Sequence, residues 1–362
     1  MMTTNRLAKL RQEFDKNEID AILISQPSNR FYLSNFTGSA GYLLITQKDA
    51  LLATDSRYFE QVKQQSPHFI LFEMKGRTEE WLPQLIGPQG IRRLGFESPN
   101  ITYSFYKEMS TILEKTLPEL KLIPLENIVE KLRSVKEPGE LANIQRAAEI
   151  GDKAFEAVTK KLKAGTTELQ LSWELEKYMR EHGSQSMPFE VIVGAGPNSA
   201  LPHHGPAEYP IAAGVPIVID MGARFNGYSS DLTRTICIGK PDDTFVKIYD
   251  IVRRAQEAAI ESIHAGMNGV QADGLARNII NLAGYADMFG HGLGHGVGLS
   301  VHDFAPRLSY LAPPDAIEDG MVFSIEPGIY LPGWGGVRIE DLAVMENGKV
   351  KLLSHARKWY EK

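Results

Sequence analysis

Between Gly290 and Asp341 the chain sets three histidines, and two of the three glutamates there, Glu326 and Glu340, among glycines and β-branched residues. They fall in Gly290-His291-Gly292-Leu293-Gly294-His295-Gly296, Val301-His302-Asp303, Ser324-Ile325-Glu326-Pro327-Gly328 and Val337-Arg338-Ile339-Glu340-Asp341. Imidazoles and carboxylates ligate divalent metals, and this cluster is what a strand-built metal site needs. Four glycines in the seven residues 290–296 oppose a helix through His291 and His295. The zinc-helix pattern His-Glu-x-x-His is missing, so the two rings should face different parts of one site. Strand alternation puts Val322, Ser324 and Glu326 on one face, and Arg338, Glu340 and Leu342 on one face of a partner strand. The connection Pro332-Gly333-Trp334-Gly335-Gly336 is long enough for a hairpin that brings Glu326 to Glu340.

Two aspartates upstream look like the other half of the cluster. Asn226-Gly227, between strand-like runs, signals a type I′ hairpin. A two-residue turn pairs Phe225 with Tyr228 and, further along the same register, Gly222 with Asp231. Asp220 then shares a face with Asp231 as its diagonal neighbour, roughly 7 to 8 Å away at the backbone. Carboxylates that close repel unless a cation lies between them. Asp220 also ends the apolar run Pro216-Ile217-Val218-Ile219, where an unpaired carboxylate is costly. Four carboxylates with one imidazole suit manganese or cobalt better than a cysteine-type zinc site. Two ions roughly 3.5 to 4 Å apart could share bridging carboxylates and activate a water for amide hydrolysis.

The elements that must hold these residues form an α/β (α+β) chain. Residues 1–128 alternate as an N-terminal α/β domain, with helices expected over 6–17, 57–64, 79–85 and 104–117 and strands at 21–24, 41–46, 50–54, 69–72 and 94–97. Charge and the breaker Pro138-Gly139 mark 129–138 as a linker. Residues 139–362 read as a second domain built from two copies of a helix, helix, hairpin unit. The first copy has helices over 141–162 and 167–179 and strands at 190–193, 215–219 and 228–238. The second has helices over 245–263 and 270–282 and strands at 299–301, 321–325 and 337–345.

The 362 residues fit two domains of unequal size. Hydrophobic content of 43% and charged content of 23% are those of a globular protein. A net charge of -6 with no basic block argues against nucleic acid or an anionic membrane as partner. One cysteine, Cys237, excludes an internal disulfide and a cysteine zinc cage. No apolar leader or span is evident, so the expected location is cytoplasmic.

These residues resemble the creatinase and aminopeptidase P superfamily of metallopeptidases, the M24 group with the pita-bread fold. The matching segments are Ile219-Asp220-Met221-Gly222, Ser230-Asp231-Leu232-Thr233-Arg234-Thr235, Gly294-His295-Gly296-Val297-Gly298, Ile325-Glu326-Pro327-Gly328 and Arg338-Ile339-Glu340-Asp341. Asn35-Phe36-Thr37-Gly38-Ser39 and Leu132-Arg133-Ser134-Val135-Lys136 are similar to the family's creatinase-type N-terminal domain and interdomain linker. The resemblance implies a catalytic domain with an internal pseudo-twofold repeat. It implies that Asp220, Asp231, His295, Glu326 and Glu340 bind two divalent ions, most readily Mn2+, with Co2+ or Zn2+ as alternatives, and that Asp231 and Glu340 bridge them. Glu326 would shuttle a proton. His203, His291 and His302 would handle substrate, with His204 competing with His203 for the inward position, and Arg338 would orient a carboxylate. The implied activity is release of the N-terminal residue from Xaa-Pro peptides. The alternative is cleavage of Xaa-Pro dipeptides only, for which Arg307 resembles the arginine that holds the dipeptide carboxylate. The intact ligand set opposes a creatinase, the preceding domain opposes a methionine aminopeptidase, and a non-catalytic peptide-binding relative is the remaining alternative. Relatives commonly form homodimers.

Overall fold

A computed structural model describes residues 2–358. The chain divides into two compact units, Met1–Arg133 and Ser134–Lys362. The first unit contains α1 (Met2–Gln12), β1 (Ala21–Ile24), α2 (Pro27–Ser34), β2 (Tyr42–Thr46), β3 (Ala50–Thr54), α3 (Phe59–Gln65), β4 (Ile70–Glu73), α4 (Thr78–Ile86), β5 (Arg93–Glu97), α5 (Tyr103–Thr116) and β6 (Lys121–Leu125), with α6 (Ile128–Ser134) at its end. Its six strands form one sheet in the order β4-β3-β2-β1-β5-β6. Leu23, Leu44, Ala53, Leu94 and Phe96 of the sheet pack against Leu82 and Leu85 of α4 and Met109 and Leu113 of α5.

Three elements of this unit carry no strong periodicity and were not expected. Helix α2 starts where the Gln26 side chain accepts from Asn29 N and where Glu97, some seventy residues on, accepts from Ser25 N, Gln26 N and Asn29 Nδ2. Edge strand β6 contains Pro124, and α6 runs through much of 129–138, where the charge and Pro-Gly pattern predicts a linker. The first helix stops at Gln12, five residues short of expectation, and Phe14 is buried from a turn instead.

The second unit opens with α7 (Pro138–Thr159), which has Pro at its first position and a Glu137/Glu140 capping box, and α8 (Glu168–Glu181), capped by Thr167 and Gln170. Then come β7 (Ile192–Ala195), β8 (Ile217–Met221), β9 (Arg224–Phe225), β10 (Tyr228–Ser229) and β11 (Leu232–Ile236). The same order recurs: α9 (Asp243–Ser262), α10 (Gly269–Leu282), β12 (Gly294–Gly296), β13 (Asp303–Leu308), β14 (Val322–Ile325), β15 (Gly328–Leu331), β16 (Gly335–Arg338), β17 (Asp341–Glu346) and β18 (Lys349–Leu352). Each copy buries its own core. Ile150, Phe155, Leu171 and Leu175 lie against Val193, Ile217 and Ile219 in the first, and Ile248, Val252, Ala272 and Ala276 against Phe323, Ile325 and Val337 in the second. The strands are ordered β11-β8-β7 and β13-β12-β14-β17-β18.

Both hairpins hold a single register that opens at the acidic residues. Asn226 and Gly227 have positive φ, as a type I′ turn requires, and Phe225 pairs with Tyr228, Met221 with Leu232 and Asp220 with Thr233. The ladder breaks between these pairs, at Gly222–Ala223 and Ser230–Asp231. A Cβ on Gly222 would strike the Ser230 carbonyl, so only glycine allows this approach. In the second copy Ile325 pairs with Asp341 and Gly328 with Arg338, again in one register, broken at Glu326-Pro327 and Ile339-Glu340. The strand expected at 299–301 does not form. Gly298 N donates to Ser300 O in a turn, and the pairing is made by β12 and β13 with a bulge after His295.

Candidate active site

Where the two ladders open, the carboxylates converge. One oxygen of each of Asp220, Asp231 and Glu340 lies within 4.8 Å of the others. His295 Nε2 is 3.3 Å from Glu326 Oε1 and 3.7 Å from Asp231 Oδ2. The hairpin of the second copy therefore brings Glu326 and Glu340 to the aspartate pair of the first, as their facing strands predict. Glu340 N donates to Thr233 O, which joins the edge of one copy to the other at the cluster itself.

Burial and mutual repulsion raise the pKa of Asp231, Glu340 and Glu326. Asp231 is held well above the usual carboxylate range by burial, then by Glu340 and Asp220. Glu340 is raised likewise by burial, Glu326 and Asp220, and Glu326 by burial above all. Burial also lowers His295, favouring neutral imidazole. Its Nδ1 lies 3.1 Å from the Gly296 carbonyl, which can only accept, so Nε2 keeps its lone pair toward the carboxylates.

The donor set fits divalent metal. Asp220 Oδ1 and Glu340 Oε1 are buried with no hydrogen-bond partner, an expensive state that a cation between them relieves. Their other oxygens are committed: Arg338 Nη2 donates to Asp220 Oδ2 at 2.7 Å, and Thr233 Oγ1 donates to Glu340 Oε2 at 2.6 Å. Ser324 Oγ accepts from His295 N and donates to Glu326 Oε1, both at 3.0 Å.

The cluster lines a cavity of about 1050 Å³ that also takes in His203, His204, His291, His302, Arg307 and Arg338. His302 lies 4.2 Å from the His295 ring, centroid to centroid, and burial lowers its pKa. His291 donates or accepts at Nε2 with the Tyr330 hydroxyl, 2.9 Å away, and that hydroxyl also receives Arg338 Nη1 at 2.9 Å. Of the neighbouring histidines, His204 is tied by Nε2 to the buried Glu168 at 2.8 Å. Both line the cavity, and His203 as a like charge contributes to lowering His302. Arg307 stands in β13 opposite His295.

Sequence reasoning missed Tyr330, Thr233 and Glu168. Tyr330 sits opposite Gly336 in the β15–β16 hairpin and alternation from Gly328 would have put it on one face, but nothing local shows that its hydroxyl meets both Arg338 and His291. Glu168 reads as an ordinary first-turn helix acid, yet it accepts from Ala195 N and Asn198 Nδ2 as well as meeting His204.

A buried carboxylate and imidazole cluster, open to a cavity and set where two α+β repeats meet, defines a metal-dependent hydrolase. Residues 142–347 match metallopeptidase family M24, and residues 6–135 match the creatinase/prolidase N-terminal domain. The Xaa-Pro dipeptidase of Pyrococcus horikoshii is 37% identical over 354 residues, 97% of each chain. The solved structure of an Xaa-Pro dipeptidase from Bacillus anthracis matches with a TM-score of 0.94 at 38% identity, over 98% of each chain. An X-Pro aminopeptidase from Thermotoga maritima matches with a TM-score of 0.87 at 35% identity, covering 95% of this chain and 99% of that one. The chain belongs to metallopeptidase family M24, with a creatinase-type N-terminal domain and a pita-bread domain, and it is a metallopeptidase. Membership of this family implies divalent metal ions, and the non-catalytic alternative is set aside. Among the described residues no helix is long and apolar enough to cross a membrane.

Proposed function

We propose that this chain is an Xaa-Pro dipeptidase, which reverses the order of the two activities expected from sequence. The observation that carries this reading is Arg307, an exposed cation opposite His295 that lines the same cavity as the carboxylate cluster. A dipeptide has a free carboxylate one residue beyond its only peptide bond, and an arginine fork is the side chain suited to hold it. The names of the P. horikoshii and B. anthracis relatives support the same order.

In this reading Asp220, Asp231, His295, Glu326 and Glu340 would hold two divalent ions. The hard oxygen-rich set favours Mn2+ over Co2+ or Zn2+. When bound, such ions supply Lewis acidity that makes water a nucleophile near neutral pH. Glu326, raised by burial, takes the proton of the attacking water and carries it to the leaving proline nitrogen. His302 stabilises negative charge developing on the scissile carbonyl oxygen. His203 and His291 position the substrate, His291 being held by Tyr330, while Arg338 fixes Asp220 and Tyr330. The resemblance extends the reading to a cytoplasmic homodimer with no nucleic-acid or membrane partner.

The test is manganese-loaded enzyme offered Ala-Pro and Ala-Pro-Ala side by side. Cleavage of Ala-Pro with little or none of Ala-Pro-Ala supports the dipeptidase. Preference for the tripeptide overturns it in favour of the aminopeptidase.

A further inference from the structure

The cavity wall beside Asp220 contains an acid that the chemistry does not use. Through residues 190–193 burial alternates: Val191 and Val193 face the core at 2% and 0% exposure, whereas Glu190 is exposed and Ile192 half-buried. Glu190, two residues before β7 begins at Ile192, is thus turned away from that core as Ile192 is, and both line the cavity with Phe189. Ile192 is paired with Asp220 across β7 and β8, so its side chain lies beside that carboxylate. Glu190 precedes it by two residues, at most roughly 7 Å away along an extended backbone. Phe189 approaches Gly222, so its ring covers the break in the ladder next to Asp231.

Topology separates this wall from Arg307. The two sheets meet where Glu340 N donates to Thr233 O, and outward from that junction β7 is the last strand in one direction and β13 the last in the other. Glu190 stands just before β7 and Arg307 stands in β13, with the carboxylate cluster on the strands between them. A dipeptide whose carboxylate is at Arg307 and whose peptide bond is at the cluster directs the side chain of its first residue toward β7. What that side chain meets there is an apolar strip, Phe189 and Ile192, ending in a carboxylate. Such a surface fits a long aliphatic stem with a cationic head.

We propose that Glu190 is a specificity-determining residue that makes this enzyme favour lysine or arginine before proline, with the stem along Phe189 and Ile192 and the head at the Glu190 carboxylate. The inference rests on the dipeptidase reading above. Two other acids on the lining have no role in the chemistry: Asp303, in β13 itself, accepts from Phe304 N, and Asp287 precedes Gly292, which approaches Leu308 and Ser309 at the Arg307 end.

The test compares kcat/KM for Lys-Pro with that for norleucyl-proline, which has an apolar side chain of similar length, and adds Glu-Pro. In the unaltered enzyme Lys-Pro should lead norleucyl-proline by roughly two- to fivefold at low salt, the range for an exposed ion pair, and the lead should shrink as salt is raised. Glu190→Gln should abolish the lead, Glu190→Lys should invert the order of Lys-Pro and Glu-Pro, and Asp287→Asn should leave the ratio in place. An equal Lys-Pro to norleucyl-proline ratio in the unaltered enzyme and Glu190→Gln overturns the role of Glu190. So does loss of the lead in Asp287→Asn alone. Failure to cleave any Xaa-Pro dipeptide overturns the underlying dipeptidase reading instead.

Discussion

Arg338 donates through Nη2 to Oδ2 of Asp220 at 2.7 Å, while Oδ1 of the same carboxylate is buried without a hydrogen-bond partner. The guanidinium thus fixes the rotation of Asp220 and leaves one oxygen for a cation. Its other nitrogens reach Thr233 Oγ1 and the Tyr330 hydroxyl, so one fork sets three groups. Lysine keeps the charge but not the fork. Arg338→Lys should therefore weaken manganese binding by about 10- to 100-fold, the usual cost of losing an outer-shell partner. Competition against a chelator reads this directly, with circular dichroism as the check on folding. Unchanged affinity would mean that Asp220 is oriented without Arg338.

Glu326 differs from the other carboxylates in having Ser324 as a donor and His295 within 3.3 Å. A glutamine there keeps the volume and one oxygen but cannot carry a proton. Glu326→Gln should stay folded, keep much of its metal and lose at least about 100-fold in kcat, the lower end of what a positioned acid–base group supplies. Near-normal turnover with bound metal removes Glu326 from proton transfer.

Most of this site was legible in the sequence because two local signals fixed it. Asn226-Gly227 set the register that faces Asp220 with Thr233, and alternation in the second hairpin put Glu326 opposite Glu340. The histidines of 290–302 were legible as a group, but their strands were not. Leu299 and Val301 alternate as strand residues do, yet a turn at Gly298 takes that segment, and β12 is three residues long. Helix α2 could not be read because Glu97 anchors its start from a distant strand. The difference between His203 and His204 was hidden for the same reason, since the partner that ties down His204 belongs to α8.

The raised carboxylates make a claim about stability and pH. Glu340 folds with a pKa well above its ordinary 4.5, mainly from burial. The folded state then holds the proton more tightly than the unfolded chain, so folding is penalised increasingly as pH rises above about 4.5. In metal-free protein Glu340→Gln removes that penalty and should raise the melting temperature over the unaltered chain by a growing margin between pH 5 and pH 8. Comparing the two proteins at each pH cancels the opposite contribution of His291, His295 and His302, which are lowered and disfavour folding as pH falls. With manganese present the order should reverse, because the variant loses a ligand. A margin that does not vary with pH in chelator would show that Glu340 is not the strained group.

Behind Glu340 lies a buried ion pair that Lys358 extends on the Asp341 side. Arg234 donates to Asp341 Oδ1 at 2.6 Å, to the Glu340 carbonyl and to the Ala356 carbonyl, and both charged side chains are 1% exposed. Asp341 is kept below the usual aspartate range: burial pushes it up, but Arg234 and Lys358 outweigh burial. Its contribution is therefore present above pH 3.8 and is lost only as pH falls through the lower folded value. Removing one partner leaves a buried charge, at a cost of about 3 to 5 kcal/mol, whereas replacing both with apolar residues costs far less. Arg234→Met should accordingly destabilise the protein strongly at neutral pH, and Arg234→Met combined with Asp341→Leu should recover part of the loss in urea melts. Because Arg234 also holds the backbone of Glu340, the double variant should regain stability without regaining full metal affinity. Equal losses in the single and double variants would mean that packing at Arg234, and not its charge, is what the neighbourhood requires.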